Sequence, residues 1–402
     1  LRSRLAQNLA LAAVGLLVGL GVLEIGFRLF RPPPNTLRDY VAPDPVAGWR
    51  PIPNITVIRR RTEYRTEIRI NSHGWRDVEH AYRKPGDSFR IVVLGDSFME
   101  AFQVKVADSF PRRLERAIRA GGYSGVEVIN LGVSGYGTYQ EYLTFREEGV
   151  RYRPDLVILA MYPENDLIDN TRELAYALWG DGDPQAFGRP YLVPTGSGWT
   201  ELPPDYDRAL RLASSRTWWR RSAIYGVASA LGRRISEGGA DQAEDMFLAP
   251  FRCELAPVYE RAWRTTDELV GRLDRVVSAA GARLVLAYVP ARVEVEGPER
   301  STASEQSARG SLCLDPSVPA SRVTELSRRL NLPLLDWLSA FRSAPARGAE
   351  LFYRTDRHWT PSGHALAARE AFRILIERKL LPEHRRLTDS TGPGAGQSAA
   401  VR

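Results

Sequence analysis

Cysteine is almost missing from this chain: Cys253 and Cys313 are the only two among 402 residues. Two thiols build neither a zinc cluster nor a disulfide scaffold, so no metal centre is expected. One bridge between them would suit an oxidising compartment. Also missing is any nucleic-acid-binding motif, or a block of Lys and Arg joined to aromatic platforms. The formal charge of +7 comes from arginines scattered along the sequence. Nucleic acid is therefore not an expected partner, which leaves anionic lipid head groups, an acidic polymer or a merely solvated basic surface. The composition, 44% hydrophobic and 26% charged, is that of a globular protein. At this length the chain can bury a large core, as one domain with insertions or as two smaller domains.

What the chain does have is a stretch around which the rest can be ordered, Arg90 to Glu100, RIVVLGDSFME. Residues of strand character run into Gly95, Asp96 and Ser97, and then the pattern turns helical. A serine at the carboxyl end of a central strand sits where an open α/β sheet presents reactive groups, and the glycine before it allows the sharp turn. Its N–H joins a helix N-terminus, where unpaired amides and the helix dipole stabilise charge developing on an attacked carbonyl oxygen. Ser97 is thus the candidate nucleophile. Gly-Asp-Ser also occurs in ordinary turns and N-caps, so the assignment depends on what other segments supply. Asp96 reads as a turn-stabilising residue.

Upstream, every residue from Leu9 to Leu23 is apolar or glycine, and the pattern continues past Glu24 to Phe30. Such a run approaches the roughly 20 residues that a bilayer-crossing helix needs. Arg2 and Arg4 precede it, which favours an N-terminus inside and the main domain on the periplasmic, extracytoplasmic side of the inner (cytoplasmic) membrane. No convincing small-x-small cleavage site precedes Arg31, so residues 1–30 are expected as an uncleaved transmembrane anchor, with the lipid bilayer as partner through residues 9–30. Glu24 and Arg28 are spaced to pair on one helix face. Gly15 and Gly19 form a GxxxG, either a surface for another helix or simply the glycine common in spans. The prolines at 32–34, 43, 45, 51 and 53 predict an extended stalk over residues 31–54. Ile55 to Ile70 alternates in part between apolar and basic residues, which predicts one or two edge strands with arginines facing solvent. INSHGWRD, Ile70 to Asp77, reads as a loop, with His73 a surface histidine that has no neighbouring carboxylate to orient it.

Beyond Ser97, strands and helices alternate. A helical period covers Asp108 to Ala120, then Tyr139 to Glu148, Pro257 to Ala280 and Pro319 to Leu330. Buried strands are predicted at Val126 to Leu131, Asp155 to Met161, Arg283 to Val289 and Leu334 to Asp336. With the strand before Ser97 this makes a parallel sheet of about five strands covered on both faces. Three further strand ends carry chemistry: Gly132 in NLGVSGYGT, Asn165 and Asp166 in YPENDLIDN, and Asp356 and His358 in TDRHWTPSGH. An acyl-transferring serine needs a base, a carboxylate to fix that base's tautomer, and donors for the oxyanion. His358 would be the base and Asp356 its partner. The N–H groups of Ser97 and Gly132 and the side-chain amide of Asn165 would form the oxyanion hole. Asp356 and His358 read equally as a helix N-terminal pair without chemistry, and Asp166 as a loop partner.

These four blocks stand in the order found in SGNH or GDSL-type hydrolases, which the chain resembles from about Arg90 to the helix after Gly363, with insertions between. INSHGWRD together with the N-terminal anchor is similar to bacterial membrane-anchored members. DRHW resembles the Asp-x-His-Trp of the polysaccharide O-acetyltransferase branch, exemplified by alginate acetylation proteins. The resemblance implies a flavodoxin-like three-layer α/β/α sandwich and acyl-ester chemistry. Two departures stand out. Pro163 replaces the glycine usual before the Asn-Asp pair, which is expected to shift the loop carrying Asn165. A single residue, Arg357, separates Asp356 from His358 where two are more common, a spacing with precedent in the acetyltransferase-like branch.

The α/β domain is thus expected over residues 55–387, with insertions at about 171–256 and 291–318. The first holds Trp179, Trp199, Trp218 and Trp219 with Arg220 and Arg221, which suit glycan binding, a lid, the membrane interface, a protein contact or ordinary packing. Ser236 to Asp245 is small, polar and acidic, and reads as mobile. The second insertion carries Cys313, and a bridge to Cys253 would tie the two together. Residues 388–402 read as a flexible tail. The functional expectation is a membrane-anchored serine esterase or O-acyltransferase that needs no cofactor and acts on an acylated glycan or lipid. The carbohydrate comes from the resemblance alone. The alternative is a non-catalytic accessory subunit, its SGNH-like scaffold docked on an integral-membrane protein complex.

Overall fold

The structure is a computed structural model that describes residues 2–30, 40–214, 246–296, 313–344 and 350–382. In the first of these the contiguous described side chains run from Ala10 to Gly26. Among the described residues four sheets are formed. β1 (Val41–Asp44) pairs antiparallel with β2 (Gly48–Pro51), and β3 (Thr56–Arg60) with β4 (Arg65–Arg69). The central sheet contains β5 (Phe89–Leu94), β6 (Val126–Asn130) and β7 (Leu156–Met161). A further antiparallel pair, β8 (Tyr191–Thr195) and β9 (Gly198–Leu202), lies in the first insertion. β10 (Arg283–Tyr288) and β11 (Leu334–Asp336) complete the central sheet.

That sheet has five strands in the order β11-β10-β7-β5-β6, all parallel. Parallel strands need crossover connections, and the helices that make them cover both faces. This is why β5 and β7 read as continuous apolar runs rather than alternating ones. On one face Val92, Leu94, Val157, Leu159 and Leu286 pack against the helices Thr138–Glu147, Pro257–Ala279 and Val318–Arg329. On the other, Ile91, Val93, Ile158, Ala160 and Val285 meet the helices Phe110–Ala120 and Pro361–Glu377. Each of these side chains is essentially excluded from water, and burying one is worth about 1.5–3 kcal/mol. The result is the expected three-layer α/β/α sandwich. From β5 the chain first steps to β6 on one side and then to β7 on the other. The crevice outside the carboxyl ends of these three strands is a topological switch point, where open α/β sheets place their sites.

Two segments differ from expectation. Residues 40–54 do not continue a stalk: β1 and β2 form a ribbon docked on the sandwich, with Tyr40 and Ala47 buried. Asp44 Oδ1 accepts the N–H groups of Val46 and Ala47 to close the turn. Gln140 Nε2 donates to Ala47 O at 2.6 Å, and the Tyr136 hydroxyl donates to Trp49 O. The prolines are tolerated because a two-stranded ribbon leaves alternate N–H positions outside the ladder. Residues 31–39 lie outside those described. The second difference is at the N-terminus. Arg2–Phe30 is one continuous helix, with Leu11, Val14, Leu17 and Val22 exposed. Among the described residues, however, no helix is long and apolar enough to cross a membrane, so the transmembrane helix expected over residues 1–30 is not found there. Among the described residues nothing lies within 4 Å of a Cβ built at Gly15 or Gly19. Trp218, Trp219, Arg220, Arg221, the stretch Ser236 to Asp245 and the tail from residue 388 all lie outside the described residues.

Candidate active site

The nucleophile turn is fixed by local sterics. Gly95 follows β5 with φ +158, and a Cβ there would stand 2.4 Å from Met99 Cγ and 3.2 Å from Ala160 Cβ. Only glycine makes that turn without displacing core atoms. Asp96 caps the short helix Ser97–Glu100 by accepting the Phe98 N–H at 2.9 Å. Its other oxygen accepts from Asn165 Nδ2 at 2.9 Å. Burial pushes the Asp96 carboxyl above its ordinary range, against the pull of these two hydrogen bonds. Asp96 therefore does more than cap the turn, because it also holds the candidate oxyanion donor.

The base arrives on a loop closed by short-range pairing. Phe352 and Trp359 bridge antiparallel, Tyr353 N–H donates to His358 O at 2.8 Å, and Thr360 N–H donates to Leu351 O at 2.9 Å. Arg357 turns the loop at φ +68. The tryptophan of DRHW is core: the Trp359 ring lies 5.4 Å from Trp337 and 5.1 Å from Phe98 and Phe341. Fixing Trp359 leaves its neighbour His358 facing the serine, with the Phe98 ring 4.8 Å from the imidazole.

The structure brings Ser97, His358 and Asp356 together. His358 Nε2 is 2.7 Å from Ser97 Oγ, and Nδ1 is 2.7 Å from Asp356 Oδ1. A carboxylate facing Nδ1 places the proton there and leaves the Nε2 lone pair toward the hydroxyl. Asp356 is itself held: Tyr64 OH donates to Oδ2 at 2.8 Å and Gln103 Nε2 to Oδ1 at 3.0 Å. Burial opposes ionisation of Asp356, yet the hydrogen bonds and charge of His358, with Tyr64 and Gln103, outweigh it and hold the carboxyl at about 2. Burial likewise disfavours the His358 imidazolium, but the hydrogen bond and charge of Asp356 prevail and raise its pKa. A base poised above its ordinary value beside a serine hydroxyl suits general-base activation of a nucleophile.

The oxyanion donors are arranged less simply. A Cβ at Gly132 would lie 2.5 Å from Met99 Cβ and 2.9 Å from Glu100 N, so the turn after β6 is pressed against the nucleophile helix. Its N–H, assigned to the oxyanion from sequence, donates to Asn130 Oδ1 at 3.1 Å. Asn165 spends one amide hydrogen on Asp96 and retains a second. Pro163 opens the helix Pro163–Asp169 at a position where its missing N–H costs nothing. Asn165 thus sits in the first helical turn. Asp166, the expected loop partner, accepts the Tyr162 N–H at 2.7 Å, and its carboxyl is raised by burial.

Cys253 and Cys313 form a disulfide with S–S 2.01 Å. Beside it Leu248, Phe251 and Ala291 form a small cluster on which Tyr162 packs, and the Tyr162 ring lies 4.6 Å from Phe98. The bridged insertions therefore reach the surroundings of the serine. His73 packs against Tyr82 at 4.3 Å, with Nδ1 3.3 Å from the Tyr152 hydroxyl. It is half-buried, at the edge of that aromatic group. Tyr64 and Gln103 were not singled out from sequence: neither belongs to a short pattern, and only the folded chain brings them to Asp356.

Residues 252–393 match the family described as the SGNH hydrolase-like domain of the acetyltransferase AlgX. Asp356, His358 and both cysteines lie inside that stretch, while Ser97, Gly132 and Asn165 lie upstream of it. No curated protein matches the chain. Among solved structures, the lipase/acylhydrolase from Enterococcus faecalis is 15% identical, with 72% of this chain and 96% of that one covered and a TM-score of 0.38. The acetylxylan esterase Axe2 from Geobacillus stearothermophilus is 12% identical, with 73% and 96% covered and a TM-score of 0.38. Over residues 252–393 the chain is thus similar to the SGNH hydrolase-like domain of the acetyltransferase AlgX.

Proposed function

We propose that this protein is a serine esterase or O-acyltransferase that works through an acyl-enzyme on Ser97, with an acylated carbohydrate or lipid as substrate. The observation that carries the reading is the 2.7 Å approach of His358 Nε2 to Ser97 Oγ with Asp356 behind it. In the first half-reaction Ser97 Oγ attacks the ester carbonyl and its proton passes to His358 Nε2. Asp356 stabilises the imidazolium so formed. The oxyanion faces the Ser97 N–H at the helix start and the second amide hydrogen of Asn165. Collapse expels the alcohol, which takes the proton from His358. Water or a sugar hydroxyl then attacks the acyl-enzyme, with His358 again as base, and this choice separates esterase from transferase. The match over residues 252–393 to an acetyltransferase domain supports an acetyl group as the acyl unit, and the resemblance of DRHW to polysaccharide O-acetyltransferases supports a glycan as its carrier. The run Leu9 to Leu23, apolar or glycine throughout, supports an anchor in the inner membrane with the domain on the periplasmic side, where a disulfide persists.

The test is labelling of the detergent-solubilised chain with a fluorophosphonate probe. The native protein should label, and Ser97→Ala and His358→Ala should not. A folded native protein that stays unlabelled sinks the reading and returns the accessory-subunit alternative, which the close Ser97–His358 contact now counts against.

A further inference from the structure

We infer that the turn of the β3–β4 hairpin is part of the active site, with Tyr64 and Glu63 acting as positioning residues for Asp356 and the loop that carries it. The inference rests on the proposed serine chemistry. The hairpin is not in the central sheet, and its turn stands 292 residues from Asp356 in sequence, yet Tyr64 OH donates to Asp356 Oδ2 at 2.8 Å. On the same turn, Glu63 takes three successive backbone N–H groups of the loop. Arg354 N donates to Oε1 at 2.6 Å, and Thr355 N and Asp356 N both donate to Oε2 at 2.8 Å. One residue therefore holds the carboxylate, and its neighbour holds the backbone from which that carboxylate projects.

The hairpin is itself fastened to the nucleophile side. Thr66 Oγ1 donates to Phe102 O at 2.6 Å, and the Arg59 guanidinium lies 4.2 Å over the Phe102 ring. That ring is 6.1 Å from the imidazole of His358. The Tyr64 ring packs 5.3 Å from Tyr353, whose hydroxyl reaches Gln103 O at 3.3 Å. A hairpin tied to both sides fixes the distance between them. Burial, and then the charge and hydrogen bond of Asp356, push the Tyr64 phenol up, so it remains a donor. A donor to a carboxylate shares its charge and sets how strongly it supports the imidazolium. The other titratable or charged groups around the pair are Asp96 behind the serine, Arg59 on β3, Tyr353 on the loop and His364 on the following helix.

The experiment follows the rate of fluorophosphonate labelling against pH for the native chain, Tyr64→Phe and Glu63→Gln, with thermal unfolding in parallel. Phenylalanine keeps the packed ring and removes only the hydroxyl. Labelling of Tyr64→Phe should slow on the order of tenfold through lost orientation. Its acid limb should also move up by roughly half a pH unit, because an Asp356 that shares less charge with Tyr64 attracts the imidazolium more strongly. Unchanged labelling, or uniform slowing with an unmoved limb, overturns the role of Tyr64. Should Tyr64→Phe not fold, Glu63→Gln decides. It should slow labelling several-fold and speed hydrogen exchange at the amides of Arg354, Thr355 and Asp356, and exchange at native rates overturns the clamp. A native chain that fails to label counts against the serine chemistry itself, which separates that failure from this one.

Discussion

The two sides of the site are built in opposite ways. On the serine side nearly everything is local: Gly95, Asp96 and Ser97 are consecutive, and the cap from Asp96 to Phe98 spans two residues. The turn is enforced from beneath by Met99 and Ala160. On the base side the local chain supplies only a loop. Its orientation comes from Tyr64, Gln103 and Glu63, each more than 250 residues away in sequence. A turn dictated by core sterics should break by unfolding, whereas a loop held by remote polar contacts should break by losing its aim while the fold survives.

Asp356→Asn is the sharpest test of that difference and carries the largest expected effect. An amide leaves Tyr64 and Gln103 with a partner of similar shape but no longer selects the imidazole tautomer, and labelling should fall by roughly 10³–10⁴-fold with the fold retained. The pH profile should change as well. In the native chain labelling should decline as pH falls through a value above the 6.5 of an ordinary histidine, because Asp356 overcomes the burial of His358. Without that charge burial is opposed only by Asp96 and the Asp356 backbone, so the acid limb of the residual activity of Asp356→Asn should move down from the native one. A limb that stays in place would show that His358 is not set by Asp356.

Gly95→Ala probes the other side. The added Cβ meets Met99 Cγ at 2.4 Å and sits on a backbone that L side chains rarely adopt. The expected cost is about 2–4 kcal/mol of stability. Thermal unfolding should reveal that loss, and labelling should disappear in step with the folded fraction. A variant of native stability that had merely lost labelling would place the two sides on the same footing.

The same contrast explains what could be read before folding. The apolar runs of β5 and β7 and the helices at 110–120 and 257–279 are each set by a short window of sequence, and their positions emerged to within a residue or two. That Ser97, Asp356 and His358 would come together was legible for the same reason, since each sits in a compact pattern, Ser97 at a strand end and the other two on a loop beyond the last strand and the helix Leu338–Ser343. β1 and β2 were not, because prolines that rule out a central strand do not rule out a two-stranded ribbon. Gly132 was found as a residue, but its N–H is taken by Asn130, a contact that depends on the turn's conformation rather than on its composition. Tyr64 and Glu63 left no trace, because alternation along a hairpin identifies its inner face without showing what lies opposite its turn.

The smallest effect is expected where the loop is held from the solvent side. Arg292 Nη1 donates to Arg354 O at 2.6 Å, while Arg292 Nε pairs with Glu296 at 2.6 Å. This contact touches the same loop residue whose N–H is taken by Glu63, but Arg354 is exposed and water can replace the donor. Arg292→Ala should therefore slow labelling by no more than a few-fold, while any loss of stability it causes comes from the nearly buried Glu296 that it leaves unpaired and is read by thermal unfolding. The comparison to make is with Glu63→Gln on the opposite side of the loop. If Arg292→Ala slowed labelling as much as Glu63→Gln, the loop would be held evenly from both sides. A clear gap between the two would locate its restraint at the hairpin, because only there do three backbone donors converge on one carboxylate while the next residue holds Asp356 itself.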